Sequence, residues 1–343
     1  MATKAERHAR GFACWGQFVA MLFCQLGRAH SLREICGGLA SCEGRLAHLG
    51  IEAPSRATLA YANAHRPWAL YQHIFNDLLA RCRDVAGAHR FRFKNKLLSL
   101  DATVIDLCAE MFPWATFRRT KGAVKLHFTL DHDGCLQTWM LITEGKRHEI
   151  TVARTQTFPA GTILVFDRGY LDFAWFTQLT EAGVFFVTRM KDGTAYDVIE
   201  RREVPGRGGI IADEWIALRS PTSAAKYEPG RPLRRIDVEL ADGERLVFLT
   251  NHLDLGPTTI ARIYKDRWQI ELLFDSSTWC TPLDARDFQG PTEVSRPWVG
   301  SRDRSVSPRI ARRPLHTESR VRSHRPGSPP SVSVESAARR WSA

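Results

Sequence analysis

The chain of 343 residues is 44% hydrophobic and 25% charged, enough apolar material for about two or three domains with buried cores. Its formal net charge of +11 suits nucleic acid or an anionic surface without choosing between them. No run of roughly eighteen apolar residues occurs, and the basic start MATKAERHAR leads into Cys14, Trp15, Gly16 and Gln17, so neither a membrane span nor a secretory signal is expected.

Residues 11–84 read as helical. Phe12 to Leu26 is apolar on most sides, the pattern of a buried helix. Ser31 and Glu34 form a capping box that opens a short helix, expected to end at Gly37-Gly38. Pro54-Ser55 opens a second, and Pro67 suits the first turn of a third, whose stripe Leu70, Tyr71, Ile74, Phe75, Leu78, Leu79, Cys82 is packing. Arg56, Thr58, Asn63 and Arg66 are available for DNA contact by a helix-turn-helix-like unit; a plain helical bundle fits as well, since Gly38 to Pro54 is too long for a tight turn.

At residue 91 the texture changes. After the basic junction FRFKNK, LLSLDATVIDL (97–107) reads as a strand. KLHFTL (125–130) and LQTWMLI (136–142) flank the hairpin turn Asp131 to Gly134. HEITVARTQ (148–156) reads as a helix, TILVFD (162–167) as a short apolar strand, LDFAWFTQLTEAG (171–183) as a helix stopped by Gly183, and VFFVTRM (184–190) as a strand. That order makes an α/β layer with a mixed sheet. Residues 191–250 carry β and turn patterns with no helix expected, and 257–274 is helical again. From about 275 the apolar periodicity ends: 69 residues hold 8 Pro, 13 Ser, 12 Arg and 7 acidic residues without a Lys, the composition of a disordered tail or of out-of-frame translation. The eight cysteines contain no CxxC pair and read as scattered thiols in a reducing compartment.

Three acids stand out by position. Asp101 lies inside the first strand of the α/β region, where a charge is costly unless paired or metal-bound. Asp167 ends TILVFD, at the strand edge where α/β sheets build sites. Glu271 lies in the helical YKDRWQIELLF. Adjacent strands would set the two Asp side by side, and a helix across the strand ends would bring the Glu. Three carboxylates suit Mg²⁺ or Mn²⁺, and a pair of such ions activates water or a 3′-hydroxyl in phosphoryl transfer. Asp106, Asp172, Asp266 and Glu149 compete for these roles. Tyr264-x-x-Arg267-x-x-x-Glu271 sets a phenol, a guanidinium and a carboxylate on one helix face; Arg267 suits a phosphate, and Trp268 suits either base stacking or the core. Arg118, Arg119, Lys121 and Lys125 form a basic cluster that follows a DNA backbone or is a solvated loop.

LLSLDATVIDL, ILVFDRGYLDF and YKDRWQIELLF, with the N-terminal WGQFVAMLFCQL…SLREI…LGI…SRATLA, resemble the IS4-type DDE transposases over residues 11–274. The resemblance implies an RNase H-like catalytic core with a β-rich insertion, Asp101, Asp167 and Glu271 as catalytic and metal-binding triad, and Tyr264 and Arg267 as part of a Tyr-Arg-Glu-Lys signature. It implies two Mg²⁺ (or Mn²⁺) ions, DNA partners (transposon ends and target), a homodimeric working complex and a bacterial cytoplasmic, nucleoid-associated setting. Cut-and-paste chemistry would run through end nicking, a hairpin and strand transfer. The divisions are then 1–90 helical and DNA-end binding, 91–190 the first part of the core, 191–250 the insertion, 251–274 the third-acid helix and 275–343 the tail. One departure stands out: the signature's Lys falls on Thr278, and the resemblance stops at Phe274, as in a frameshifted or truncated copy. An impaired enzyme and a non-catalytic DNA-binding remnant are both compatible with that departure.

Overall fold

The computed structural model describes residues 5–6, 11–29, 31–107, 116–118, 121–206, 208–227, 230–270 and 298–299. The tail expected beyond 274 lies outside them, apart from that last pair.

Five helices open the chain: α1 (Cys14–Leu26), α2 (Leu32–Ser41), α3 (Glu43–Leu46), α4 (Arg56–His65) and α5 (Ala69–Val85). Ser31 Oγ accepts from the Glu34 amide at 3.2 Å, and Ser55 Oγ from the Thr58 amide at 3.1 Å, so both expected N-caps form. Three expectations are corrected. Helix α2 does not end at Gly37-Gly38 but runs through them to Ser41. The reason is packing: a Cβ at Gly38 would stand 2.5 Å from Phe23 Cζ, so the glycine admits the α1 ring and its helical cost is offset. Pro67 lies just ahead of α5, whose N-cap is Trp68. Ala20, Cys24, Leu32, Ile35, Leu39 and Leu59 form the core of this unit. The α5 stripe is only partly packing: Leu79 is buried, Leu78 and Cys82 are exposed.

One mixed sheet organises the rest. Its first part is β1 (Leu97–Leu107), β2 (Thr116–Arg118), β3 (Lys121–Asp131) and β4 (Leu136–Glu144), joined antiparallel. Then come α6 (Glu149–Ala153), β5 (Ile163–Phe166), α7 (Phe173–Glu181) and β6 (Phe185–Arg189), with β5 parallel to both β1 and β6. The order β4-β3-β1-β5-β6, with only β3 antiparallel to its neighbours, is the RNase H-like arrangement. Strands β7 (Tyr196–Arg201), β8 (Ile210–Leu218), β9 (Leu233–Glu239) and β10 (Arg245–Thr250) continue the same sheet beyond β6, and β11 (Trp298–Val299) lies on the β4 edge. Helix α6 is shorter than expected, and a short helix α8 (Pro221–Ala224) interrupts the region where none was expected. Pro221, preset for a first helical turn, explains α8.

Strand β5 is a continuous apolar run because both its faces are covered. Leu164 and Phe166 meet Trp175, Phe176 and Leu179 of α7. Ile163 and Val165 meet Ile260, Ile263 and Tyr264 of α9 (Pro257–Asp266) on the other face. Position 209 requires glycine: its φ is +65°, and a Cβ would lie 2.1 Å from the Glu239 carbonyl oxygen.

Two buried histidines brace the β1–β3–β4 sheet. His132 shares a 2.7 Å hydrogen bond with Ser99 Oγ, and His127 one of 3.0 Å with Thr143 Oγ1. Burial pushes both imidazoles down from 6.5 to about 4. The folded chain thus binds fewer protons than the unfolded chain between those values. Stability is full above pH 6.5 and is expected to fall as the pH drops from 6.5 to about 4. Denaturant midpoints across that window should decline less steeply in His132→Gln; identical slopes would refute this account of His132.

Candidate active site

The parallel register pairs Leu97 with Ile163, Leu98 with Leu164, Ser99 with Val165 and Leu100 with Phe166. The next position on each strand is an aspartate, Asp101 on β1 and Asp167 just past β5. Neighbouring strands lie about 4.8 Å apart, and paired residues of a parallel ladder share a face. Both carboxylates therefore belong to the face that carries Ile163 and Val165, the face covered by α9.

From α9 comes the third group. Arg267 Nη1 donates to Asp101 Oδ2 at 2.9 Å, and both side chains are largely buried. The guanidinium also stands over the Tyr264 ring, 5.4 Å from its centroid, while that ring packs on Phe248. Helix α9 breaks at Arg267 and residues 268–270 are helical again, while the Arg267 and Ile270 amides bond to carbonyls three residues back, at 3.2 and 3.0 Å. The expected uniform face from Tyr264 onward is thus tightened at Arg267 into a 3₁₀-like turn, which aims its guanidinium at β1.

Burial pushes the Tyr264 phenol up to about 12, with Arg267 opposing the shift and Asp167 adding to it. A residue that the sequence reading did not single out joins the group. Tyr170 closes the 3₁₀ turn after Asp167, its amide donating to the Asp167 carbonyl at 3.0 Å. Burial drives its phenol well above its ordinary value, and the charges of Asp101, Glu149 and Asp167 add to this against Arg267. Its ring packs on Phe166, 5.9 Å between centroids, in the α7-side core, so the Asp-x-x-Tyr spacing was visible but its burial beneath the strand ends was not.

The competing acids have other work. Asp172 caps α7 through the Trp175 amide at 2.8 Å and pairs with Arg154 at 2.7 Å. Glu149 meets Lys125 at 2.6 Å, and Asp266 meets Arg90. By contrast, the Asp167 carboxylate does not cap the turn it precedes. The side chain of Asp106 lies outside the described residues, as does Glu271. Among the described residues no group of three or more His, Cys, Asp or Glu converges as a metal set. Asp101 and Asp167 offer oxygen donors only, the donor chemistry of a hard divalent cation, so they fit Mg²⁺ or Mn²⁺ as two of the carboxylates such a site needs.

The expected DNA-contact residues are scattered. Trp268 is half-buried beside Arg267, and Arg56 is exposed at the start of α4. Arg119 and the side chains of Arg118 and Lys121 lie outside the described residues. Lys125 turns inward to Glu149 and the Arg147 carbonyl, so it is not part of a basic surface. Asn63 and Arg66 also turn inward, to Gln17 at 2.7 and 3.1 Å, and tie α4 to α1. The outer face of α4 instead shows Tyr61 stacked on His65, with ring centroids 3.9 Å apart. A groove of about 680 Å³ is lined by Gly208, Gly209, Arg262 and Lys265 among others and includes neither aspartate.

A family described as "Transposase DDE domain" matches residues 92–289, more than half of the chain. The chain belongs to the DDE transposase family. The match to this transposase domain runs to residue 289, past the expected limit of the resemblance at Phe274. Residues 2–52 match a "Domain of unknown function (DUF4372)". The transposase is 33% identical over 246 residues to "Putative transposase y4zB" of Sinorhizobium fredii, covering 70% of this chain and 67% of that protein. It is 25% identical over 211 residues to "Probable transposase for insertion sequence element IS5377" of Geobacillus stearothermophilus, covering 61% of this chain and about half (54%) of that one. Of solved structures, a piggyBac transposase synaptic complex with hairpin DNA aligns with a TM-score of 0.36 and 11% identity, over 66% of this chain and 52% of that chain, a loose likeness. No helix among the described residues is long and apolar enough to cross a membrane.

Proposed function

We propose that this transposase is of the IS4 type and acts by cut-and-paste phosphoryl transfer, with Asp101, Asp167 and Glu271 as its catalytic carboxylates. The observation that supports this most directly is the register that sets Asp101 beside Asp167, with Arg267 on the Asp101 carboxylate at 2.9 Å. Two Mg²⁺ or Mn²⁺ ions, when bound, supply the activated water or 3′-hydroxyl and the neutralised leaving oxygen. Asp101, Asp167 and Glu271 would hold them. Arg267 pairs with the Asp101 charge through Nη1 and grips a phosphate of the DNA strand with the rest of its planar fork. Tyr264, kept protonated by burial, donates a hydrogen bond to the same phosphate and backs the guanidinium. Trp268 stacks on an unpaired base during the hairpin step between end nicking and strand transfer. The helical region 1–90, through Arg56 and neighbours, binds the transposon ends; Arg118, Arg119 and Lys121 follow the backbone. The working complex is a homodimer on end and target DNA in the bacterial cytoplasm.

Thr278, in place of the signature Lys, favours a weakened copy. The test is nicking of supercoiled plasmid by the purified chain. Slow nicking that needs Mg²⁺ or Mn²⁺ and stops on chelation is the expected result. Plasmid retention without nicking under either ion would instead identify a non-catalytic DNA-binding remnant. Nicking that persists unchanged in chelator would overturn both readings.

A further inference from the structure

Arg90 lies in the segment that joins the helical region to β1, ahead of the strand that carries Asp101. Its Nε donates to Asp266 Oδ2 at 2.9 Å and its Nη2 to Oδ1 of the same carboxylate, a two-pronged grip. The Arg90 side chain is 61% exposed, whereas that of Asp266 is 3% exposed. An exposed partner holding a buried carboxylate in bidentate geometry is more constraining than a surface pair, because the buried charge has lost its water. Asp266 is the last residue of α9, and the next residue is Arg267.

The same segment grips α9 at a second point and the β3–β4 turn at a third. Phe91, stacked on Phe93 with centroids 5.1 Å apart, carries the Arg262 guanidinium 5.5 Å over its ring. The His89 amide donates to Asp133 Oδ1 at 2.8 Å. From that turn, Cys135 Sγ reaches Gln269 Oε1 at 3.0 Å, so contacts bracket Arg267 on both sides.

We propose that Arg90 is a positioning residue: through Asp266 it fixes the last turn of α9 so that Arg267 lies on Asp101. This rests on the reading of Asp101 and Arg267 as part of the phosphoryl-transfer site. The full chain is compared with Arg90→Ala, Arg90→Lys and Asp266→Asn by amide hydrogen exchange and by Mn²⁺-dependent nicking of supercoiled plasmid. In Arg90→Ala the amides of 262–270 should exchange at least about tenfold faster, while those of β5 and β6 keep wild-type rates. Nicking at saturating plasmid should fall about tenfold to a hundredfold, the cost of a displacement near 1 Å, with plasmid affinity unchanged. Arg90→Lys, which keeps the charge but loses the fork, should recover part of both effects, and Asp266→Asn should resemble Arg90→Ala. Unchanged exchange in 262–270 overturns the proposal. So does an equal rise in β5 and β6, which would make Arg90 a general stabiliser, or a loosened helix with undiminished nicking. If the wild-type chain nicks nothing, that failure falls on the proposed function, and the exchange pattern still decides whether Arg90 holds α9 in place.

Discussion

Asp101→Asn is expected to reduce metal-dependent nicking to background and to weaken Mn²⁺ binding, while the chain keeps its fold. On the proposed reading of Asp101 as a metal ligand, its loss forfeits several kcal/mol of charge stabilisation, a drop of about 10³-fold in rate. Asparagine is the informative substitution. It retains an oxygen to accept from Arg267, so the guanidinium buried beside it keeps a partner. Asp101→Ala removes that partner too and should lower stability in addition to activity. Asp167→Asn should match Asp101→Asn in rate, because the two positions are successive to paired residues on neighbouring strands. Nicking of Asp101→Asn within a few-fold of wild type would remove Asp101 from the site. Calorimetric Mn²⁺ titration of the same variants gives a second reading that needs no turnover.

Arg234→Ala is expected to cost about 3–5 kcal/mol of stability, read from the shift in a denaturant midpoint. Arg234 on β9 and Asp213 on β8 form a bidentate pair at 2.7 Å on both prongs, with side chains only 1% and 2% exposed. Arg234 also donates to the carbonyls of Leu253 and Leu255, in the loop that leads into α9. Removing it leaves a carboxylate without its counter-charge and carbonyls without a donor in a site closed to water. The double variant Arg234→Met/Asp213→Leu should recover much of the loss, since an apolar pair needs no counter-charge. It should not recover all of it, because the loop carbonyls stay short of a donor. A single-variant loss below about 1 kcal/mol, or a double variant worse than the sum of the singles, would contradict this account.

Arg267 links the catalytic reading to the fold. Its pairing with Asp101 neutralises a carboxylate that would otherwise stand in a half-buried strand, and it does so with a residue from the far end of the described chain. A site that balances its charges in this way folds with its carboxylates in place.

Much of this molecule could be read from its residues in order. Period-two and continuous apolar runs marked β1, β3, β4, β5 and β6, and the Ser31 and Ser55 caps marked α2 and α4, because each depends on atoms a few positions apart. Asp101 and Asp167 were visible as charges where strands should be apolar. Tertiary structure decided what those local rules cannot reach. Gly37-Gly38 looked like a helix stop until Phe23 filled the space above Gly38. Asn63, Arg66 and Lys125 looked free for DNA until α1 and Glu149 claimed them, and Asp266 looked like a competitor for the carboxylate set until Arg90 took it. Tyr170 is buried beside the site only because the turn after β5 packs its ring on Phe166 in the α7-side core. Local pattern follows from backbone geometry and therefore shows in the sequence. Which polar side chain meets which depends on sheet register and helix packing between distant residues, and those contacts exist only once the chain has folded.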